Sequence, residues 1–337
     1  MKRIYLIISL LLVLSFQTIS AQEKKWTLED CINYAVANNI NLQRQILQTQ
    51  SAKVNLLKSK MDVLPSLNFG SQADLGFGRG VNPVDYSITF NQTFSNDFYM
   101  STSLNIFKGL ITINTIAADK FMLNAGLEYE KIIRNRLIID ILGQYYQVLY
   151  SKGLENASKM QLDLSDKQLF RIRKMVETGK EALSRQYEME SRVSADKLAY
   201  TIAQNTSSQA LTTLKQILQL QPGSDFDILM PDLDNILITD FNYKTDSIYA
   251  ISSQILPRLK EINYELEAAK KQLAASKGYV SPVLRAGASI STGYFNVLSE
   301  TDAKQGPYTT QLKNNNNQTI SLSLNIPLFN NYTTGRN

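Results

Sequence analysis

The chain has 337 residues, room for two average domains or one large one, and 44% of them are hydrophobic, which excludes a fully disordered protein. Histidine is absent and Cys31 is the only cysteine, so a Ser-His-Asp triad, an imidazole base, an internal disulfide and a thiolate zinc site are all excluded. The formal charge of +5 falls to +3 once Lys2 and Arg3 are set aside, and a balance that small, spread along the chain, reads as solvated surface and not as a nucleic-acid site.

Residues 1–21 read as a secretory signal peptide. Lys2 and Arg3 form the basic start, Ile4 to Phe16 the apolar stretch, and Thr18-Ile19-Ser20-Ala21 the cleavage region before Gln22. The apolar stretch falls short of the ~20 residues that cross a bilayer as a helix, and no later segment reaches 18 apolar residues in a row. Helical membrane spans are therefore not expected. An exported chain can still enter a membrane as a β-barrel, whose signal per strand is weak.

The sequence repeats itself. Offset by 217, residues 42–67 match at Leu42/Leu259, Ala52/Ala269, Lys53/Lys270, Leu56/Leu273, Ser59/Ser276, Lys60/Lys277, Val63/Val280, Pro65/Pro282 and Leu67/Leu284, where chance gives about two identities. So long a period indicates a duplicated half-protein, not a solenoid unit. Each copy opens with helix: Leu28 to about Asn39 and Leu42 to about Asp62 in the first, broken at Ile40, with Pro257 opening the longer helix of the second. Pro65 and Pro282 end these helices. The predicted organisation is a first repeat over 22–222, a linker over 223–243 and an incomplete second repeat over 244–337.

After each proline the period becomes two, with strand pairs predicted at about 66–107 and 283–328. One face of these strands is apolar. Its candidate lipid-facing residues are Leu67, Phe69, Leu75, Phe77, Met100, Leu104, Leu284, Ile290, Leu322 and Leu324, and Ile106 and Ile326 extend the same series. The alternate positions are polar or small. Their candidate pore-facing residues are Asn68, Gln72, Asp74, Tyr99, Ser101, Ser103, Asn105, Arg285, Ser289, Ser291, Ser321 and Ser323. Such alternation fits any half-buried sheet, but export and strands of about ten residues favour a transmembrane barrel. Long polar loops are expected at 79–97 and at 296–317, and the GFGRG stretch of 76–80, at a strand end with no helix after it, is read as a loop. Four strands cannot close a membrane barrel, and open edges in lipid leave backbone groups unpaired at several kcal/mol each, so several chains must share one wall.

From about Thr112 to Val176 the chain has no proline and only isolated glycines, with apolar residues at Ile138, Ile141, Leu142, Tyr145, Tyr146 and Leu149. A second helix carries Leu198, Ile202, Leu211, Leu214 and Leu218 and ends before Gln221-Pro222-Gly223. At 1.5 Å per residue the first is a rod of roughly 100 Å, suited to a coiled-coil-like tube. Gly179 is the expected turn.

The most distinctive stretches are WTLEDCINYAVANN at 26–39, NLQRQILQTQSAKVNLLKSKMDVLPSL at 41–67 and GQYYQVLY at 143–150. With the signal peptide, the duplication and the long hairpin, they resemble the TolC family of outer-membrane efflux proteins over about residues 26–337. In that family the second stretch usually begins Asn-Pro, and Ile40 stands here for the proline. The resemblance implies an α+β membrane protein of TolC-like fold. Four strands per protomer would contribute to a trimeric 12-stranded β-barrel, and long antiparallel α-helices would form a periplasmic tunnel. It implies a homotrimer in the outer membrane of a Gram-negative bacterium, acting as the exit duct of a tripartite efflux or type I secretion system. Its partners would be outer-membrane lipid, a periplasmic adaptor and an inner-membrane pump, the adaptor docking at the turn of Thr178, Gly179 and Lys180. The second copy stops at LFNNYTTGRN (328–337), short of a second hairpin and of the family's usual tunnel-closing acidic residues, which reads as a fragment or truncated form of a longer chain. A chain ending there is not expected to seal a tunnel alone.

No phosphate loop or acid–base constellation is visible, so no catalytic residue, cofactor or metal site is assigned and an enzyme is not expected. Asp74 reads as a pore residue and Arg285 as one that tunes ion preference. Trp26, Phe94, Phe98 and Tyr294 are placed near bilayer interfaces. The alternative function is a soluble periplasmic adaptor whose long hairpin bridges pump and channel. In an adaptor, the apolar face of the sheet would lie inside the molecule.

Overall fold

A computed structural model describes residues 25–81, 88–230, 244–298 and 306–329 of the chain. The expected signal peptide, most of the expected linker and the end of LFNNYTTGRN lie outside the described residues. The elements are α1 (Leu28–Asn38), α2 (Ile40–Met61), β1 (Ser66–Val81), β2 (Ile88–Lys108), α3 (Ile111–Glu177), α4 (Leu183–Leu218), α5 (Thr245–Ile255), α6 (Pro257–Lys277), β3 (Val283–Val297), α7 (Tyr308–Asn314) and β4 (Asn317–Asn325). They recur at the 217 offset: α1 and α5 begin at 28 and 245, α2 and α6 at 40 and 257, β1 and β3 at 66 and 283. The described residues fall into two units, one within residues 1–45 and 130–248 and one within residues 46–129 and 249–337.

In the first unit, α1 starts with a capping box. Thr27 Oγ1 accepts from the Asp30 N–H and the Asp30 carboxylate accepts from the Thr27 N–H, both at 3.1 Å. The break falls at Asn39, one residue before the expected Ile40, because the Asn39 side chain caps α2 by accepting from the Asn41 and Leu42 N–H groups. The core holds Cys31, Ala35, Leu42, Ile141, Tyr145, Val148, Leu214, Leu218 and Ile228. Tyr146, Leu198 and Ile202 are exposed instead of packed, and α4 buries Ala203, Ser207 and Ala210. Small residues let backbones approach closely, so the seam is built from side chains that a search for large apolar residues passes over. Trp26 lies here and not on a strand: it bridges to Ile228 and its ring meets Tyr34 and Phe226 edge-on.

In the second unit the N-terminal part of α3 buries Ile111, Ala118 and Ala125, and α6 buries Glu261, Ala268 and Ala275, both at seven-residue spacing. That is the repeat of a coiled-coil seam. At Gly126 of α3 an added Cβ would meet the Thr49 hydroxyl of α2 at 3.3 Å, and the Phe121 ring lies against Tyr264 of α6. The sheet order is β1-β2-β3-β4, antiparallel throughout. The strands run further than expected, β1 to Val81 and β2 from Ile88, so GFGRG and most of the expected 79–97 loop are strand. Gly76 does not end β1 because its cross-strand neighbour fills its place: a Cβ there would meet Thr93 Oγ1 at 2.6 Å. The expected 296–317 loop contains α7. β4 stops at Asn325, before Pro327, which has no N–H to donate to a ladder, so Ile326 lies outside the strand. A bulge between Asn105 and Phe107 takes Ile106 out of the apolar series and puts Phe107 opposite Leu284.

Candidate functional site

The register decides which side chains share a face, because directly paired residues point the same way. Phe69 pairs with Met100, Met100 with Ile290, Leu104 with Ala286, Ala286 with Leu322 and Leu284 with Leu324. Leu67, Leu75 and Phe77 stand on the same side of β1 as Phe69. The ten candidate lipid-facing residues therefore stand together, without Ile106 and Ile326. Asn68 pairs with Ser101, Ser101 with Ser289, Asn105 with Arg285, Arg285 with Ser323 and Tyr99 with Ser291. Gln72 and Asp74 lie on that side of β1, with Ser103 and Ser321 in the same rows, so the residues assigned to the polar face also stand together.

The apolar face is not covered. Leu67 is 72% exposed, Leu322 68% and Ile320 92%, with Phe69, Leu75, Phe77, Leu324, Met100 and Ile290 also exposed and Leu104 and Leu284 half-buried. Leu67, Met100, Ile290 and Ile320 line an open hollow of about 630 Å³ on this side. The rings of Phe94 and Tyr294 meet at a tilt of 57° across β2 and β3, their centroids 6.1 Å apart.

The polar face is smoothed by glycine. Tyr99 fills the space over Gly70 and Asp97 that over Gly293, where a Cβ would collide with each. The Gln72 amide donates to the Asp74 carboxylate at 3.0 Å, and Arg285 Nε donates to Asn105 Oδ1 at 3.1 Å. These glycine partners were not legible in the sequence, since an isolated glycine in a strand only signals a bulge or a close approach.

Sheet and helices meet at a glycine corner. Gly109 has φ +56 and a Cβ there would strike the Gly278 carbonyl oxygen, while a Cβ on Gly278 would strike the Gly109 oxygen. The far end of α3 closes in a Schellman motif. Lys180 N–H donates to Met175 O at 2.7 Å, Gly179 N–H donates to Val176 O at 2.9 Å, and Gly179 has φ +71. Thr178, Gly179 and Lys180 thus form the exposed turn between the long helices. Beside it Arg173 pairs with Glu190 at 2.8 Å, and this bond and one from Gln186 hold the Glu190 carboxyl below its ordinary range.

In the first unit, Tyr145 donates its hydroxyl to Leu229 O at 2.9 Å, and Lys152 pairs with Asp227. Burial would raise the Asp227 pKa, but the Lys152 and Ile228 hydrogen bonds and the charges of Lys152 and Lys25 outweigh it and lower the value. Burial, helped by the Asp30 charge, pushes the Cys31 thiol up to about 11. These contacts fasten segment 219–230 to the helices.

An exposed apolar sheet face backed by a polar one, joined through a glycine corner to a 67-residue helix, defines the class: the fold is that of the TolC-like outer-membrane channels. Solved structures share it over 92% of this chain. The CusC transmembrane channel superposes with a TM-score of 0.72 at 16% identity over 67% of its length. The outer-membrane protein VceC of Vibrio cholerae gives 0.68 at 12% over 70%, and the outer-membrane channel CmeC of Campylobacter jejuni 0.69 at 16% over 63%. The chain thus spans about two thirds of the length of these structures. No protein-family model and no curated protein matches the sequence.

Proposed function

We propose that this chain is a subunit of an outer-membrane exit duct, a passive channel through which small molecules or proteins leave the periplasm. The observation that carries the reading is the segregation of the sheet faces. Each large apolar side chain left in water forgoes about 1.5–3 kcal/mol of burial, and this face exposes Leu67, Phe69, Leu75, Phe77, Ile320, Leu322 and Leu324 together. Hydrocarbon resolves that. The same lipid would make the open margins of β1 and β4 costly, which supports closure by pairing β4 of one copy with β1 of the next, three copies giving twelve strands. The polar face then lines the lumen, with Asp74 and Arg285 in contact with passing ions.

The chain's long helices continue the duct into the periplasm, and the Thr178-Gly179-Lys180 turn is where a periplasmic adaptor docks, in turn engaged by an inner-membrane pump. Work of this kind needs no catalytic group, so the chain is not an enzyme. The adaptor reading is disfavoured because it requires the apolar strand face to be enclosed, and Ile320 and Leu322 are open. Cell fractionation tests the choice. The duct predicts an outer-membrane protein extracted only by detergent, migrating as an oligomer until heated; a soluble monomer in the periplasmic fraction would return the adaptor.

A further inference from the structure

The outer end of the sheet has a step. β4 pairs with β3 only from Val283 to Ser291, while β3 continues to Val297 with β2 still beside it. α7 occupies the missing place with side chains. The Gln311 carboxamide accepts from the Phe295 N–H and donates to the Phe295 carbonyl, both at 3.1 Å, the two bonds that a strand residue would exchange there. Asn315 donates to Gly293 O at 2.8 Å, Thr292 donates to Leu312 O, and Tyr308 leans on Tyr294 with its hydroxyl on Asn96 Oδ1 at 2.6 Å. These bonds use Tyr308, Gln311, Leu312 and Asn315. Thr309, Thr310 and Lys313 are left outward and exposed.

At the other margin β1 has 16 residues against nine in β4. If β4 closes on β1 of the next copy, the reading on which this inference rests, nine residues cannot cover sixteen. The outer part of β1 keeps only β2. Asp74 pairs with Ser95 and Ser95 with Phe295, the residue that Gln311 grips, so α7 and Asp74 lie at one level of the sheet, within the stagger of a barrel. Asp74 is also the one acidic residue of β1.

We propose that α7 is the rim half of the subunit interface, continuing past the end of β4 and presenting Thr309, Thr310 and Lys313 to the outer part of β1, with its Asp74, in a second copy of this chain. The two hydroxyls suit the open backbone groups of that strand margin, and the ammonium suits the carboxylate. Continuity decides the occupant: whatever lies against the outer edge of β4 must pass α7 next.

The test uses the full chain in outer-membrane vesicles with Cys31→Ser as background. Lys313→Cys is combined in turn with Gln72→Cys, Ala73→Cys and Asp74→Cys, neighbouring positions of that strand margin, and treated with a short bismaleimide. At least one pair should shift the denatured band to two and three times the chain mass, and no single-cysteine chain should. An oligomer on a native gel with no linked band, or only intrachain links, overturns the proposal and leaves the barrel standing. No oligomer on the native gel overturns both.

Discussion

Two residues at helix ends meet the same demand in different ways. Gly179 and Gln219 each follow a helix with positive φ, +71 and +56, and each sits in a Schellman motif. At Gly179 the conformation is free of penalty. At Gln219 it costs about 1 kcal/mol, and the return is that Gln219 Oε1 accepts the Ile40 N–H at 3.0 Å. The repeat explains why that N–H needs a partner. Ile40 is the counterpart of Pro257, which has none, and Asn39 and Leu256 before them share an extended backbone with ψ 119. Gln219→Gly alone is therefore expected to change stability by less than about 0.5 kcal/mol, strain relief offsetting the lost bond. In an Ile40→Pro background the same change should stabilise by about 1 kcal/mol. Equal effects in both backgrounds, measured by urea unfolding in detergent, would show that the two residues are not coupled. The departure at Ile40 was legible in the sequence. Its compensation 179 residues away was not, because nothing local marks a glutamine as a cap.

The elements differ in how far each could be read. The helices around Pro65, Pro257 and Pro282 and the two-residue period after them were legible because proline and alternation act locally. The extents of β1 and β2 were not, because Gly76 is sustained by its cross-strand neighbour Thr93, and the expected polar loop hid a helix held by Gln311 and Asn315. Glycines at element ends also separate by environment. A Cβ at Gly179 meets nothing within 4 Å, so Gly179→Ala costs only the left-handed backbone, about 1–2 kcal/mol. Gly109→Ala adds a collision with Gly278 and Ser281, worth about 1–3 kcal/mol more. Thermal unfolding followed by circular dichroism should therefore rank Gly109→Ala well below Gly179→Ala. The reverse order would mean that the corner between β2 and α3 is looser than its backbone contact implies.

For the whole molecule, the fold follows from one pattern used twice: helix, proline, strand, each strand greasy on one side. The sequence shows the alternation, the register aligns it across four strands, and only then does a continuous apolar face emerge, since alignment depends on pairing between residues as far apart as Met100 and Ile290. In the proposed duct this face meets hydrocarbon and its reverse meets water. Neighbouring positions on β4 test it most directly. In Cys31→Ser chains carried in outer-membrane vesicles, cysteine at Ser321 or Ser323 should react with a charged, water-soluble thiol reagent. Cysteine at Leu322 or Leu324 should resist it, and a fluorophore placed there should be quenched by nitroxide-bearing lipid chains. Alternation with a period of two along four residues is the predicted result; uniform labelling of all four positions, without lipid quenching, would contradict it.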